Sequence, residues 1–155
     1  MIEYILSFAS LYFLTYLLLT YLEENWEESY ATKTPMVSIL IPAYNESKTI
    51  KQTIDSALAL DYPNFEVIVI DDGSTDRTRE IVASYGSPVR LVAQANAGGC
   101  ATRNRGIREA SGEFIICLDA DDRLHPTFAE KHLQAFRSRQ DAITYAPINL
   151  IDQYG

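Results

Sequence analysis

From residue 36 onward, short apolar runs alternate with segments that have helical spacing or residues typical of helix starts. The apolar runs contain few polar residues, which is typical of strands buried in a parallel sheet. Strands that alternate with helices of about 10 to 15 residues pair in parallel through right-handed crossovers. The sequence therefore predicts a Rossmann-like α/β sheet with flanking helices. The predicted strands are residues 36–41, 65–70, 89–93, 114–118 and 142–148.

Proline and polar residues mark the expected ends of these elements. Pro42 is predicted to end the first strand, because proline has no amide proton to donate to a sheet. Asn45 or Ser47 is then expected to cap a helix. That helix places apolar side chains at i, i+4, i+7 and i+8, namely Ile50, Ile54, Ala57 and Leu58.

Three carboxylates follow the fourth apolar run directly. Residues 114–118 have no polar alternation, which predicts a central strand buried on both faces. Asp119, Asp121 and Asp122 would then lie at the carboxyl edge of the sheet, where ligands bind in open α/β folds. A hard divalent cation, Mg²⁺ or Mn²⁺, would offset their mutual repulsion. Alternatively, these acids only cap the helix whose start Pro126 marks.

Charge and cysteine content restrict the function classes. The 155 residues, 47% of them hydrophobic, suffice for one core plus an appendage. The net charge of −8 argues against a nucleic-acid partner held through its phosphates. The two cysteines, Cys100 and Cys117, offer no disulfide framework, which favours a cytosolic location for the domain.

The first 22 residues form a separate hydrophobic segment. Residues 4–22 contain no charge and, as a helix, would be about 28 Å long, close to the thickness of a bilayer core. This pattern predicts a single transmembrane helix over residues 1–22, an acidic linker over 23–35 and the α/β domain over 36–155. No Lys or Arg precedes Lys33, so the positive-inside rule gives no orientation. A helix packed on the domain or on a partner is the alternative.

Three predicted strand ends carry polar residues toward one edge of the sheet, at 42–46, 71–74 and 119–122. A carboxylate facing a base N–H, a nearby aromatic ring and a metal-binding acid pair together suit a nucleoside diphosphate. Neither a G-x-G-x-x-G dinucleotide motif nor a P-loop is present.

Four motifs resemble, in order, those of family-2 glycosyltransferases. They are VSILIPAYNE (37–46), VIDDGSTD (69–76), NAGG with RNRG (96–106) and GEFIICLDADD (112–122). The resemblance covers residues 36–150. It implies a glycosyltransferase A (GT-A) fold and an inverting transfer from a nucleotide sugar, commonly a UDP-sugar, with Mg²⁺ or Mn²⁺. It further implies a glycan or lipid-linked acceptor, which would suit a membrane-anchored enzyme.

The resemblance also implies roles for residues at the first two strand ends. Asp72 would accept a hydrogen bond from the base N–H, and Asp71 would support it. Glu46 would lie near the nucleotide. The nucleoside pocket would be lined by Pro42, Ala43 and Tyr44, with Tyr44 against the base.

Further roles follow for the third and fourth motifs. Asp119 and Asp121 match the family's Asp-x-Asp pair, with Asp121 as the direct metal ligand and Asp119 facing the sugar or ribose. Arg103 and Asn104 match a donor-binding pair, although Thr102 replaces the usual alanine and a purely structural helix face is an equal alternative.

The resemblance gives no catalytic base within these residues. In this family the base lies well downstream, in the acceptor-binding half, and Asp141 and Asp152 come too early in the pattern. The expectation is therefore a fragment of a larger transferase. The alternatives are a nucleotide-sugar-binding or partner module without turnover, and an unrelated α/β nucleotide-binding enzyme.

Overall fold

A computed structural model of the chain describes residues 12–18, 20, 34–137 and 143. The chain divides into two units, Met1–Thr34 and Pro35–Gly155. In the first unit, residues 12–18 and 20 are helical, with exposed apolar side chains such as Tyr12 and Leu14. Within the described ranges, no helix is both long enough and apolar enough to cross a membrane. The rest of the predicted transmembrane helix and nearly all of the predicted linker lie outside the described residues.

Four strands are described in the second unit: β1 (Val37–Ala43), β2 (Phe65–Asp71), β3 (Val89–Ala93) and β4 (Phe114–Cys117). They form a parallel sheet in the order β3-β2-β1-β4. The predicted parallel α/β sheet is thus confirmed. In register, Ala43 of β1 lies opposite Asp71 of β2, and Asp71 lies opposite Ala93 of β3. The predicted strand 142–148 lies outside the described residues except for residue 143.

Successive residues of each strand point to opposite faces of the sheet, and helices pack against the apolar side chains on both faces. On one face, Ile39, Ile41, Val67 and Val69 pack with residues of the first, second and fourth helices. On the other face, the third helix packs closely against Leu40 and Ile70 through Gly106, where a Cβ would lie 2.8 Å from Ile70 Cδ1. The helices are α1 (Ile50–Leu58), α2 (Thr78–Ala83), α3 (Gly99–Glu109) and α4 (Phe128–Arg137).

Pro42 does not end β1, contrary to the prediction, since the strand continues to Ala43. Leu40 accepts a backbone hydrogen bond from Leu118, whereas Ala43 accepts one from Asp72, on the β2 side. Pro42 follows Leu40 by two residues and so faces the β4 side, where the ladder has already ended. Pro42 therefore has no amide proton to continue the β1–β4 ladder, whereas β1 goes on pairing with β2 as far as Ala43.

The prediction that β4 is buried on both faces is wrong, because Ile115 and Cys117 are exposed. Among the described strands, β4 pairs with β1, and whether it is central stays a prediction. These two side chains point to the face that α3 covers at Leu40 and Ile70, but α3 does not cover them. Strand order cannot be read from a short apolar run, because burial depends on which elements pack beside it.

Candidate functional site

An open cavity of about 320 Å³ lies at the carboxyl edge of the sheet, where β1 and β2 end and the loops after β3 and β4 begin. Eight of the predicted site residues line it: Pro42, Ala43, Tyr44, Glu46, Asp72, Arg103, Asp119 and Asp121. Two predicted residues, Asp71 and Asn104, do not. The cavity is also lined by Asn96, Gly98, Gly99, Thr102 and Ala120.

The loop after β1 is tied to the loop after β2 by hydrogen bonds. Asn45, with a φ of 57°, accepts from the Thr75 backbone N–H through Oδ1 (2.8 Å), and its own N–H donates to Ser74 Oγ (2.9 Å). The Glu46 N–H donates to Thr78 Oγ1 (2.9 Å). The prediction that Asn45 or Ser47 caps this helix is therefore wrong. The Asn45 side chain cross-links two loops, and α1 begins after Thr49 without a side-chain cap.

Asp71 is fully buried beneath these loops rather than in the cavity. Its Oδ2 accepts from Arg79 Nε (2.5 Å) and from the backbone N–H groups of Gly73 and Ser74 (both 3.2 Å). Its Oδ1 has no hydrogen-bond partner within the described part of the chain. Asp71 thus stabilises the turn that follows Asp72, and so supports the cavity without lining it.

Asp72 is buried, with 4% exposure, and holds the loop after β3. Its Oδ1 accepts from Gln94 Nε2 (2.7 Å) and the Ala97 N–H (2.9 Å), and its Oδ2 accepts from the Gly98 N–H (2.9 Å). Burial alone raises the pKa of Asp72, but these hydrogen bonds outweigh it and hold the pKa below its usual value. The carboxylate is therefore ionised. The Thr102 side chain is a further hydrogen-bonding neighbour that lowers this pKa.

Arg103 and Asp119 form an ion pair at the cavity, with Nη2 and Oδ1 2.6 Å apart. Hydrogen bonding and charge from Asp119 raise the pKa of Arg103 above its usual value. The pair is partly exposed to solvent, at 42% and 53% of the two side chains. The exposed Asp121 has no ion-pair partner among the described residues, so the Asp119–Asp121 pair contains one compensated and one uncompensated carboxylate.

Repulsion among these acids affects Asp122 as well. Burial raises the pKa of Asp122 first, and the charges of Asp121 and Asp119 raise it further. The loop that carries the acids therefore has a concentrated negative charge.

Asn104 is exposed on α3 and does not reach the cavity.

The residues that were not predicted lie mainly in the loop after β3. Gly98 has a φ of 85°, which favours glycine, and it precedes Gly99 at the start of α3. This loop and the loop after β2 approach each other closely, because a Cβ on Gly73 would lie 2.9 Å from Asn96 N. The two adjacent glycines after β3 were the available signal for a close backbone approach to a ligand.

The model of glycosyl transferase family 2 matches residues 38–153. The chain belongs to this family. An uncharacterized glycosyltransferase of Rickettsia typhi is 39% identical over 124 residues, which are 79% of this chain and 39% of the relative. A putative teichuronic acid biosynthesis glycosyltransferase of Bacillus subtilis is 33% identical over 135 residues, 84% of this chain and 51% of the relative. The chain therefore spans about half or less of the length of these relatives.

Solved structures of glycosyltransferases align with the family-2 domain. S. aureus TarS in complex with UDP-GlcNAc has a TM-score of 0.61 and 32% identity, covering 68% of this chain and 32% of that one. The mannosyltransferase PcManGT from Pyrobaculum calidifontis, in complex with GDP-Man and Mn²⁺, has a TM-score of 0.63 and 29% identity, covering 68% of this chain and 33% of that one. The predicted family and GT-A fold are confirmed, whereas the predicted residue roles stay predictions.

The donor atoms in this family-2 cavity suit a hard divalent cation only in part. Asp119 and Asp121 offer carboxylate oxygens, which Mg²⁺ and Mn²⁺ prefer. Within the described residues, however, no group of three His, Cys, Asp or Glu side chains is placed to hold a metal ion. The cavity therefore fits a cation that takes one or two protein carboxylates and completes its coordination with substrate phosphates and water.

Proposed function

We propose that this chain is the donor-binding portion of an inverting family-2 glycosyltransferase that uses a nucleotide sugar, in the first instance a UDP-sugar. The observation that carries this proposal is the arrangement of acids in one cavity. The buried, ionised Asp72 lies among the residues of the first two strand ends, and the Asp119–Asp121 pair lies on the β4 side. This arrangement suits a ligand that has a hydrogen-bond donor at one end and a metal-bound diphosphate at the other.

The relatives support a nucleotide-sugar donor and a glycan acceptor. TarS binds UDP-GlcNAc, and PcManGT binds GDP-Man with Mn²⁺. The B. subtilis relative is named for teichuronic acid biosynthesis. By similarity, we infer that the acceptor of this chain is a hydroxyl of a growing glycan or of a lipid-linked sugar.

In the proposed reaction, residues of this chain bind and orient the donor. Asp72 accepts a hydrogen bond from the base N–H, and Tyr44, which also lines the cavity, lies beside the base. Asp121 and Asp119 would hold Mn²⁺ or Mg²⁺, which when bound offsets the charge that grows on the leaving diphosphate. Arg103 adds positive charge at the same end of the cavity. The carboxylate base that removes the acceptor proton belongs to the acceptor-binding half of such enzymes, outside these residues.

Donor binding by the full chain tests this proposal. UDP should bind more tightly with Mn²⁺ than with EDTA, as measured by calorimetry. Asp121→Asn should abolish the Mn²⁺ effect while the affinity in EDTA stays unchanged. Asp61→Asn is the matched control, because Asp61 is exposed and precedes β2, at the opposite edge of the sheet. Equal, negligible UDP binding by folded protein in both conditions would refute the proposal.

We also propose that the N-terminal segment associates with a membrane, with the α/β domain on the cytosolic side. The support is the exposure of its helical residues, since the side chains of Tyr12, Phe13 and Leu14 are 62–69% exposed. The exposed Cys100 allows a test in membrane vesicles with the Cys117→Ser chain, since Cys117 is exposed as well. A membrane-impermeant maleimide should label Cys100 in inside-out vesicles and not in right-side-out ones, and recovery of the chain in the soluble fraction would exclude the association.

A further inference from the structure

The acid loop, residues 119–124, follows β4 and carries Asp119, Asp121 and Asp122. Just before this loop, the Leu118 N–H donates a hydrogen bond to the Leu40 carbonyl of β1, at 2.9 Å. Beyond it, the Asp122 N–H donates to the Asp119 carbonyl (3.0 Å), which closes a turn within the loop. This turn shapes the loop but does not fix its position relative to the sheet.

Helix α1 provides contacts that fix this position, in addition to the Arg103–Asp119 ion pair from α3. Thr53 Oγ1 donates to the Ala120 carbonyl at 2.7 Å, with the Thr53 residue 1% exposed and Ala120 5% exposed. Ser56 Oγ accepts from the Leu124 N–H at 3.1 Å, at the other end of the acid loop. Thr53 is the more constrained contact, because its hydroxyl is buried and its β-branched side chain has few rotamers in a helix.

We propose that Thr53 is a positioning residue for the metal site: its hydroxyl holds the peptide between Asp119 and Asp121 so that both carboxylates reach one divalent cation. This rests on the proposed function. Ala120 lines the cavity between the two acids, so a shift of its carbonyl moves both carboxylates together. Thr53 itself does not line the cavity.

The same helix is anchored at the nucleoside end of the cavity. The Ile50 N–H donates to the Glu46 carbonyl at 2.9 Å, and Thr49 Oγ1 donates to Glu46 Oε2 at 2.8 Å. Helix α1 therefore connects the loop after β1 with the acid loop. The Asp72 site does not depend on Thr53, because Asp72 is held by Gln94, Ala97 and Gly98. Loss of the Thr53 hydroxyl should thus affect metal-dependent binding alone.

The test compares Thr53→Val with Thr53→Ser in the full chain. Valine has nearly the shape of threonine but no hydroxyl, whereas serine keeps the hydroxyl. UDP affinity is measured by calorimetry across a Mn²⁺ titration and in EDTA. Thr53→Val should raise the half-maximal Mn²⁺ concentration about tenfold, as loss of outer contacts to metal ligands does. The UDP affinity of Thr53→Val in EDTA should stay within about twofold of wild type. Thr53→Ser, which keeps the hydroxyl, should have the wild-type Mn²⁺ requirement.

Two results would refute the positioning role of Thr53 without affecting the proposed function. One is a folded Thr53→Val chain with the wild-type Mn²⁺ requirement, and the other is an equal change in Thr53→Ser. Should Thr53→Val fail to fold, Ser56→Ala replaces it: an unchanged Mn²⁺ requirement there would count against α1 as the element that positions the acid loop. Failure of the wild-type chain to bind UDP more tightly with Mn²⁺ would instead overturn the proposed function, and this inference with it.

Discussion

The two ends of the cavity, at which we propose that the nucleoside and the metal ion bind, are built differently. At the nucleoside end, Asp72 is buried and accepts three hydrogen bonds from Gln94, Ala97 and Gly98. At the metal end, the ion pair of Asp119 and Arg103 is partly exposed, and Asp121 has no ion-pair partner within the described ranges. A carboxylate that is held by several buried donors keeps its position without ligand, whereas exposed ion pairs contribute little and exchange partners readily. We therefore expect the nucleoside end to be preformed and the metal end to be completed when its ligand binds.

The largest effect is expected from Asp72→Asn. The amide NH₂ would face one of the N–H donors that now bind the carboxylate, so at least one buried bond is lost along with the charge. A hydrogen bond to a charged group is worth about 10- to 100-fold in affinity, and we expect UDP binding to weaken by that factor. The loss should be the same with Mn²⁺ and with EDTA, as measured by calorimetry.

Asp61→Asn provides the control for this substitution, since it makes the same chemical change at an exposed residue outside the cavity. A loss of UDP affinity in Asp72→Asn that appears only with Mn²⁺ would contradict the distinction between the two ends, because it would place Asp72 at the metal end.

Acid pH should weaken the nucleoside end by protonating Asp72. The pKa of Asp72 is lower in the folded chain than its usual value of 3.8. A carboxylate whose pKa is lower in the folded than in the unfolded chain stabilises the fold when it is ionised. This stabilisation is complete above the pKa of the unfolded chain and is lost as the pH falls through the pKa of the folded chain. The free energy of unfolding from urea titrations should therefore differ between wild type and Asp72→Asn at pH 7 and converge below about pH 4.

The comparison with Asp72→Asn isolates this group from other acids. Asp55, Asp76 and Glu109 also have pKa values lowered by their hydrogen bonds, so they too contribute to acid unfolding. They are unchanged in both chains and cancel in the difference. A difference that persists unchanged at low pH would show that Asp72 does not stabilise the fold through its charge.

At the metal end, Arg103→Gln should have two opposite effects. Removing the guanidinium frees Asp119, so Mn²⁺ alone should bind about threefold more tightly, in line with the small energy of a partly exposed ion pair. UDP with Mn²⁺ should bind more weakly, because a positive charge beside the diphosphate is lost. Free Mn²⁺ is counted by electron paramagnetic resonance, without and with UDP.

Arg77→Gln is a matched control, because Arg77 pairs with Glu80 on the exposed surface of the α2 region. Its Mn²⁺ affinity should equal that of wild type. Weaker binding of Mn²⁺ alone to Arg103→Gln would indicate that Arg103 orders Asp119 for the metal instead of competing with it.

The sequence predicted the cavity better than the contacts that support it. Strand ends of a parallel sheet meet at one edge whatever the details of packing, so most of the predicted residues converge there. Asp71 and Asp72 are neighbours in sequence, but adjacent strand residues point to opposite sides, and only Asp72 reaches the cavity. The role of Thr53 depends on a contact across 67 residues, which no local pattern encodes.

The smallest expected effect concerns Asp122, whose pKa is raised in the folded chain, whereas the pKa of Asp72 is lowered. A folded pKa above the unfolded value means that ionisation costs stability at neutral pH, and that the cost disappears as the pH falls below the unfolded pKa. Asp122→Asn should therefore stabilise the metal-free chain at pH 7 by at most about 0.5 kcal/mol, as expected for an exposed site. Urea titrations in EDTA at pH 7 and pH 3 measure this gain. Because neutral asparagine removes the repulsion from Asp119 and Asp121, a loss of stability at pH 7 would mean that the carboxylate makes a favourable contact which outweighs that repulsion.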